Sequence, residues 1–167
     1  MELTFAPRGI LQIDDARIIF RNFAGRGDKF NREGDRNFAL VIPNREIADA
    51  LIADTNKLGA SWNVKIKEPR EEGGDEFIYM PVKIRFNDRG PRIYLQAGPN
   101  AKEVLLDEES VACLDNIDIA RIDMDIRPYD DEINGKPFRA AYLQGMHVIQ
   151  NIDRFGARFA EEEYPRD

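Results

Sequence analysis

Apolar and polar residues alternate through most of this chain, and a period of two is the signature of strands with one buried face. The pattern predicts strands over residues 9–13, 16–23 and 38–42, the last an apolar run, Phe38-Ala39-Leu40-Val41-Ile42, stopped by Pro43. Strand patterning resumes at 62–67, 77–86, 92–97, 117–127 and 138–150, with turn sequences at Asn87-Asp88-Arg89-Gly90 and Asn134-Gly135. Asn44 is placed to cap a helix running to about Leu58, with Ile47, Leu51 and Leu58 roughly on one stripe and Gly59 ending it. A shorter helix is expected over 108–114, capped by Asp107. Three strands, one amphipathic helix and then more strands predict a mainly β protein. The order matches an OB-fold-like Greek-key barrel, with the helix between the third and fourth strands and additional strands after the fifth.

The same alternation sorts residues by face. In 16–23 it puts Ile18, Phe20 and Asn22 on one side, with Ile18 and Phe20 filling the core, and Arg17, Ile19, Arg21 and Phe23 on the other. In 77–86 the inward set is Ile78, Met80, Val82, Ile84 and Phe86. The outward set is Tyr79, Lys83 and Arg85 with Phe77 and Pro81. Arg92, Tyr94 and Gln96 oppose Ile93 and Leu95, and Lys65 and Lys67 oppose Trp62, Val64 and Ile66. Each outward set is basic or aromatic.

Length and composition narrow the class. A chain of 167 residues with 43% hydrophobic and 33% charged residues fits one globular domain with a polar exterior. The single cysteine, Cys113, forms no internal disulfide and reads as a buried, inert thiol, which points to a reducing compartment. No apolar run approaches the roughly 20 residues of a membrane span. The N-terminus lacks a signal-peptide pattern, so a cytoplasmic protein is expected. The net charge of −7 is unevenly spread: residues 1–70 carry 12 Lys and Arg against 10 Asp and Glu, and the remainder carries 12 against 21. The acidity belongs to the second half.

The segment from Arg17 to Phe38 holds six cations, Arg17, Arg21, Arg26, Lys29, Arg32 and Arg36, against three acids, with Phe20, Phe23, Phe30 and Phe38 interleaved. Single-stranded nucleic acid needs this combination, because cations track the phosphates and aromatic rings receive unstacked bases. Phe38, like Phe20, reads as core. Phe23 and Phe30 sit among glycines and charges with little core to enter. The candidate DNA-binding set is therefore Arg17, Arg21, Phe23, Arg26, Lys29, Phe30, Arg32 and Arg36, joined by Lys65, Lys67, Tyr79, Lys83, Arg85, Arg92 and Tyr94.

Catalytic chemistry has weaker footing. Asp123 and Asp125 share a strand face, and Asp130, Asp131 and Glu132 follow, a carboxylate supply a Mg²⁺-dependent nuclease would use. Arg121 and Arg127 occupy the same face, however, and are placed to neutralise those aspartates. One histidine, His147, supports neither a zinc cluster nor a triad with a second histidine. Gly25-Arg26-Gly27-Asp28-Lys29-Phe30 matches no phosphate-binding loop. No catalytic residue, metal or cofactor is expected.

The chain resembles a family of bacteriophage-encoded single-stranded DNA-binding-like proteins, through Arg17-Ile18-Ile19-Phe20-Arg21-Asn22-Phe23, Asn31-Arg32-Glu33-Gly34-Asp35-Arg36-Asn37-Phe38, Trp62-Asn63-Val64-Lys65 and Ile126-Arg127-Pro128-Tyr129. The resemblance implies an OB-like fold and a place in phage DNA replication or recombination, in the host cytoplasm. It departs from the family pattern at Asp131, where an aromatic is usual two residues after Tyr129. The expected organisation is an OB-like single-stranded DNA-binding domain over 1–155 and an acidic C-terminal tail over 156–167. The expected partners are single-stranded DNA and, through the acidic end, replication or recombination proteins; a homo-oligomer is left open. The rival readings are a phage protein-interaction module or inhibitor of a host factor, and the nuclease.

Overall fold

Strands form along the alternating segments, and the computed structural model, which describes residues 1–152, joins them into one mixed sheet. In chain order they are β1 (Glu2–Phe5), β2 (Leu11–Asp14), β3 (Ile18–Asn22), β4 (Arg36–Val41), β5 (Lys65–Lys67), β6 (Phe77–Ile84), β7 (Arg92–Gln96), β8 (Glu103–Leu106), β9 (Ile119–Ile133) and β10 (Lys136–Gln150), with helix α1 (Arg45–Ala53) between β4 and β5. The main path runs β1-β2-β9-β10-β6-β4-β3, with β5 added to β6, and β7 paired to both β10 and β8. The long β9–β10 hairpin is its antiparallel spine, and β10 meets β6 and β7 in parallel. Residues 153–167, and with them the expected acidic tail, lie outside the described residues.

The inward residues make one core. Leu11, Leu40, Met80, Val82, Ile93, Ile126 and Val148 are fully enclosed, with Ile13, Ile122 and Phe38 nearly so. Each removes roughly 1.5–3 kcal/mol worth of apolar surface from water. The alternation read in 77–86 holds: Ile78, Met80, Val82 and Ile84 are buried, while Phe77, Tyr79, Pro81 and Lys83 face away from the core.

Three elements differ from the sequence reading. First, α1 stops at Ala53, not near Leu58, and it follows the fourth strand, because β1 pairs with β2 ahead of the strands that were expected. Asn44 caps the helix as predicted, its side chain accepting from the Ile47 N–H at 2.9 Å. Beyond Asp54, the Asn56 side chain accepts from the Leu58 and Ala60 N–H groups, at 2.9 and 3.0 Å, and turns the chain out of the helix. Second, the short helix is a 3-10 turn over Ser110–Asp115 whose N-cap is Glu109, without a side-chain cap bond, while Asp107, expected as the cap, accepts through Oδ1 from the Glu109 and Ser110 N–H groups at 3.0 and 2.8 Å in the preceding turn. Cys113 is exposed on this turn rather than buried. Partial desolvation, then the Asp115 carboxylate, hold its thiol above the usual range. Third, a bulge interrupts β3 between Ile19 and Asn22 and overrides its period of two.

One buried cation joins distant parts. Arg139, with its side chain 8% exposed, donates from Nε to Asp130 Oδ1 at 2.7 Å, pairs with Asp54 at 3.5 Å, and lies 5.0 Å from the Trp62 ring. Trp62 Nε1 donates in turn to Asp54 Oδ2 at 2.9 Å. The end of α1, the segment before β5 and the β9–β10 hairpin are thereby tied at one point.

Candidate nucleic-acid interface

The strand registers assemble the outward side chains into a continuous face. On β6, Phe77 is opposite Lys67, Tyr79 is flanked by Lys65 and Val41, and Lys83 lies beside Asn37 on one edge and Tyr142 on the other. Tyr142 pairs across to Arg127, and Ala140 to Tyr129, which carries the face onto β9. All of these face away from the core because their neighbours Ile78, Met80, Val82, Ala141 and Ile126 are buried.

Two groups of rings stand on this surface. Phe77 and Tyr79 stack with centroids 5.4 Å apart, and Phe20 meets Tyr79 edge to face at 6.2 Å. Tyr129 approaches Tyr142 at 5.8 Å and Phe138 at 6.3 Å. Cations lie over both groups: Lys67 Nζ is 5.6 Å from the Tyr79 ring, and the Arg127 guanidinium is 4.8 Å from Tyr142. The Tyr129 hydroxyl donates to Asp131 Oδ2 at 2.9 Å, a bond that fixes the ring and keeps its phenol protonated above the usual range. Such a surface can hold a phosphate chain by charge and its bases by stacking.

Beside the face stands the loop from β3 to β4, which carries Arg26, Lys29, Phe30 and Arg32, all exposed, with Phe30 87% so. The loop is cross-linked internally. The Asn31 side-chain amide lies 2.8, 3.1 and 3.0 Å from the carbonyls of Arg26, Arg32 and Asp35. Glu33 accepts from the Gly27 N–H at 2.6 Å, and Asp28 from the Phe30 N–H at 2.7 Å. A groove of about 770 Å³, lined by Asn31, Asn37, Lys83, Arg85 and Tyr142 among others, connects loop and face.

Not every candidate from the sequence comes to this surface. Lys65, Lys67, Tyr79 and Lys83 do, with Arg85 at its rim. Phe23 does not: it is fully buried, stacked on Phe38 at 5.5 Å, and has no face to offer a base. Arg21 and Arg36 are half-buried and bound into the fold. Arg21 Nη1 donates to the carbonyls of Leu114 and Ile117, each at 2.8 Å, and Arg36 Nη1 to those of Phe23 and Glu108, at 3.0 and 2.7 Å. Arg17 is exposed but lines a separate groove with Arg121. Arg92 and Tyr94 lie past the bulge between Leu143 and Gly145, in a depression shared with Asp14, Asp123 and Asp125. There burial, then the nearby Asp14, push the Asp125 carboxyl above its ordinary range. Asp123 is occupied by Arg121 at 3.2 Å and by the Asp15 N–H at 2.9 Å. Among the described residues no group of three or more His, Cys, Asp or Glu is arranged to hold a metal.

Phe20, Phe77, Arg127, Tyr129, Phe138 and Tyr142 belong to this surface without being among the binding candidates legible in the sequence. Extending the alternation of 138–150 one step, to Phe138, Ala140 and Tyr142 opposite the buried Arg139, Ala141 and Leu143, would have found two of them.

Comparison with known proteins identifies the family and the fold. A family model described as "Putative phage ssDNA-binding domain" matches residues 3–165. The chain belongs to that family. No curated protein matches the sequence. Among solved structures, the single-stranded DNA-binding protein from bacteriophage Enc34 is similar in fold. Its complex with ssDNA aligns with TM-score 0.54 at 16% identity, covering 92% of this chain and 93% of that one. The same phage protein alone aligns with TM-score 0.53 at 14% identity, over 93% and 94% of the two chains. Its C-terminal truncation aligns with TM-score 0.53 at 13% identity, over 90% and 91%. No helix among the described residues is long and apolar enough to cross a membrane.

Proposed function

We propose that this phage protein binds single-stranded DNA without sequence preference, in replication or recombination in the host cytoplasm, and does no chemistry on its ligand. The observation that carries the reading is the outer face of β5, β6, β10 and β9, where Tyr79, Phe77, Tyr142 and Tyr129 stand among Lys65, Lys67, Lys83 and Arg127. Rings offer stacking to any base, and exposed cations offer attraction to any phosphate, so the face is indifferent to sequence. The Enc34 protein of similar fold is described in complex with ssDNA.

The barrel is read as OB type. The main path ends on β1 and β3, and β2, the neighbour of β1, is followed directly in the chain by β3. Between β2 and β3 the Ala16 N–H donates to the Ile122 carbonyl at 2.7 Å, and the Arg17 carbonyl accepts from the Val41 N–H at 2.9 Å, so one curved segment bridges β9 and β4. In an OB fold the loops beside the barrel join the sheet face in gripping a strand, which gives Arg26, Lys29, Phe30 and Arg32 their role. The acidic C-terminus, Glu161 to Asp167, is assigned to recruiting replication or recombination proteins.

The test is a fluorescence titration with dT oligonucleotides at two salt concentrations, for wild type and for Tyr79→Ala/Tyr142→Ala. Each lost stacking partner should weaken binding about 5- to 150-fold, from roughly 1–3 kcal/mol per base. Wild-type protein that fails to bind at low salt would refute the proposal.

A further inference from the structure

On the reading just given, we infer that Phe20 is a base-stacking residue turned outward by a strained backbone, and that Arg21 positions it rather than holding phosphate. Period-two alternation from Ile18 places Phe20 in the core. Instead the ring is 66% exposed, because the bulge after Ile19 sets its φ to +53°. Positive φ in a bulky residue is a true outlier, tolerated where the surroundings over-determine it and concentrated at binding sites. Glycine or asparagine would take this conformation with less strain. A benzyl group at this point is therefore not explained by the demands of the turn.

Nor is it explained by packing. Phe23, fully buried against Phe38, fills the space inward of the bulge. Phe20 meets Tyr79 on the outer face, edge to face at an interplanar angle of 83°, with most of its surface open. It extends the Tyr79–Phe77 group by one ring toward the basic loop.

What holds the strained residue is a clamp on both sides. Before it, Ile18 and Ile19 pair with Leu40 and Ala39 of β4. After it, Arg21 Nη1 donates to the Leu114 and Ile117 carbonyls, each at 2.8 Å. The Asp115 carboxylate, its side chain 3% exposed, accepts from the N–H groups of Phe23 and Ala24 at 2.7 and 3.1 Å. The 3-10 turn and the end of β3 thus grip each other through reciprocal side-chain-to-backbone bonds.

The experiment pairs thermal melts with dT-oligonucleotide and duplex titrations of wild type, Phe20→Gly, Phe20→Tyr and Arg21→Gln. Phe20→Gly should lose about 5- to 150-fold in single-strand affinity, leave weak duplex binding unchanged, and melt at the wild-type temperature or above, since strain is relieved as the ring is lost. Phe20→Tyr should keep wild-type affinity. Arg21→Gln should lower both the melting temperature and the affinity while leaving the salt slope unchanged. Wild-type affinity in Phe20→Gly, or a fall in its melting temperature that marks the ring as core, would overturn the stacking role while DNA binding itself stood. A slope lowered by about 0.7 in Arg21→Gln would return that residue to the phosphates. Absence of binding by wild type would overturn the functional reading and this inference together.

Discussion

Lys65, Lys67 and Lys83 are exposed on one face, beside Tyr79 and Tyr142, and none of them forms a salt bridge among the described residues, Lys67 lying over the Tyr79 ring. Replacing all three by alanine should remove three phosphate contacts. At about 0.7 per contact for single strands, the slope of log affinity against log salt should fall by about 2. Between 50 and 200 mM salt, wild type should therefore lose about 16-fold more affinity than the triple variant. The assay is a dT titration across that salt range, with a thermal melt confirming that the variant is folded. Arg36→Gln is the contrast. Its guanidinium is bonded to two carbonyls and lies 5.3 Å from the Phe86 ring, so its loss should lower the melting temperature and leave the slope alone. A folded triple variant with the wild-type slope would show that phosphates do not run across this face.

The two loop phenylalanines should separate cleanly. Phe23→Ala should cost about 3–5 kcal/mol of stability by urea unfolding, while Phe30→Ala should leave stability intact and cost about 1–3 kcal/mol of single-strand affinity. Arg139→Met breaks a largely buried ion pair and should destabilise the protein by about 3 kcal/mol, the low end for such pairs, because Asp130 and Asp54 keep partial contact with water. Asp125 holds its proton more tightly folded than unfolded, so the folded state binds more protons between the two pKa values and stability falls as pH rises through that window. Asp125→Asn should accordingly raise the melting temperature at about pH 7 and leave it unchanged near pH 3, where both states are protonated.

Much of the β6 face was legible from its residues, because a strand with one buried side must alternate and Ile78 to Ile84 do so without interruption. The β3 segment reads the same way in sequence, yet its bulge moves Phe20 out and lets Phe23 in. Nothing local in Ile18-Ile19-Phe20-Arg21-Asn22 announces that change, since the clamp responsible comes from Leu114, Asp115 and Ile117. Arg21 and Arg36 were indistinguishable from Arg26 and Arg32 as charges in a string. Only the carbonyls brought near by the fold separate bound guanidinium groups from exposed ones. The early end of α1 was hidden for a related reason: Asn56 bonds to backbone two and four residues later, a local choice that outweighs the apolar stripe reaching Leu58. The net charge of −7 misleads as a guide to the ligand, because Asp115, Asp123 and Asp130 spend their charge on the backbone and arginines of the fold.

The cross-linked loop around Asn31 bears on kinetics. Its donors and acceptors are matched within the loop, so Arg26, Lys29, Phe30 and Arg32 project from a frame with few conformations left to lose. If the loop grips DNA as proposed, capture of a strand would require no prior ordering of the loop, and the encounter would be governed by diffusion and electrostatic steering. Association would then be the ionic-strength-dependent step. Dissociation would be left to the rings, which on the proposed reading release their bases one by one.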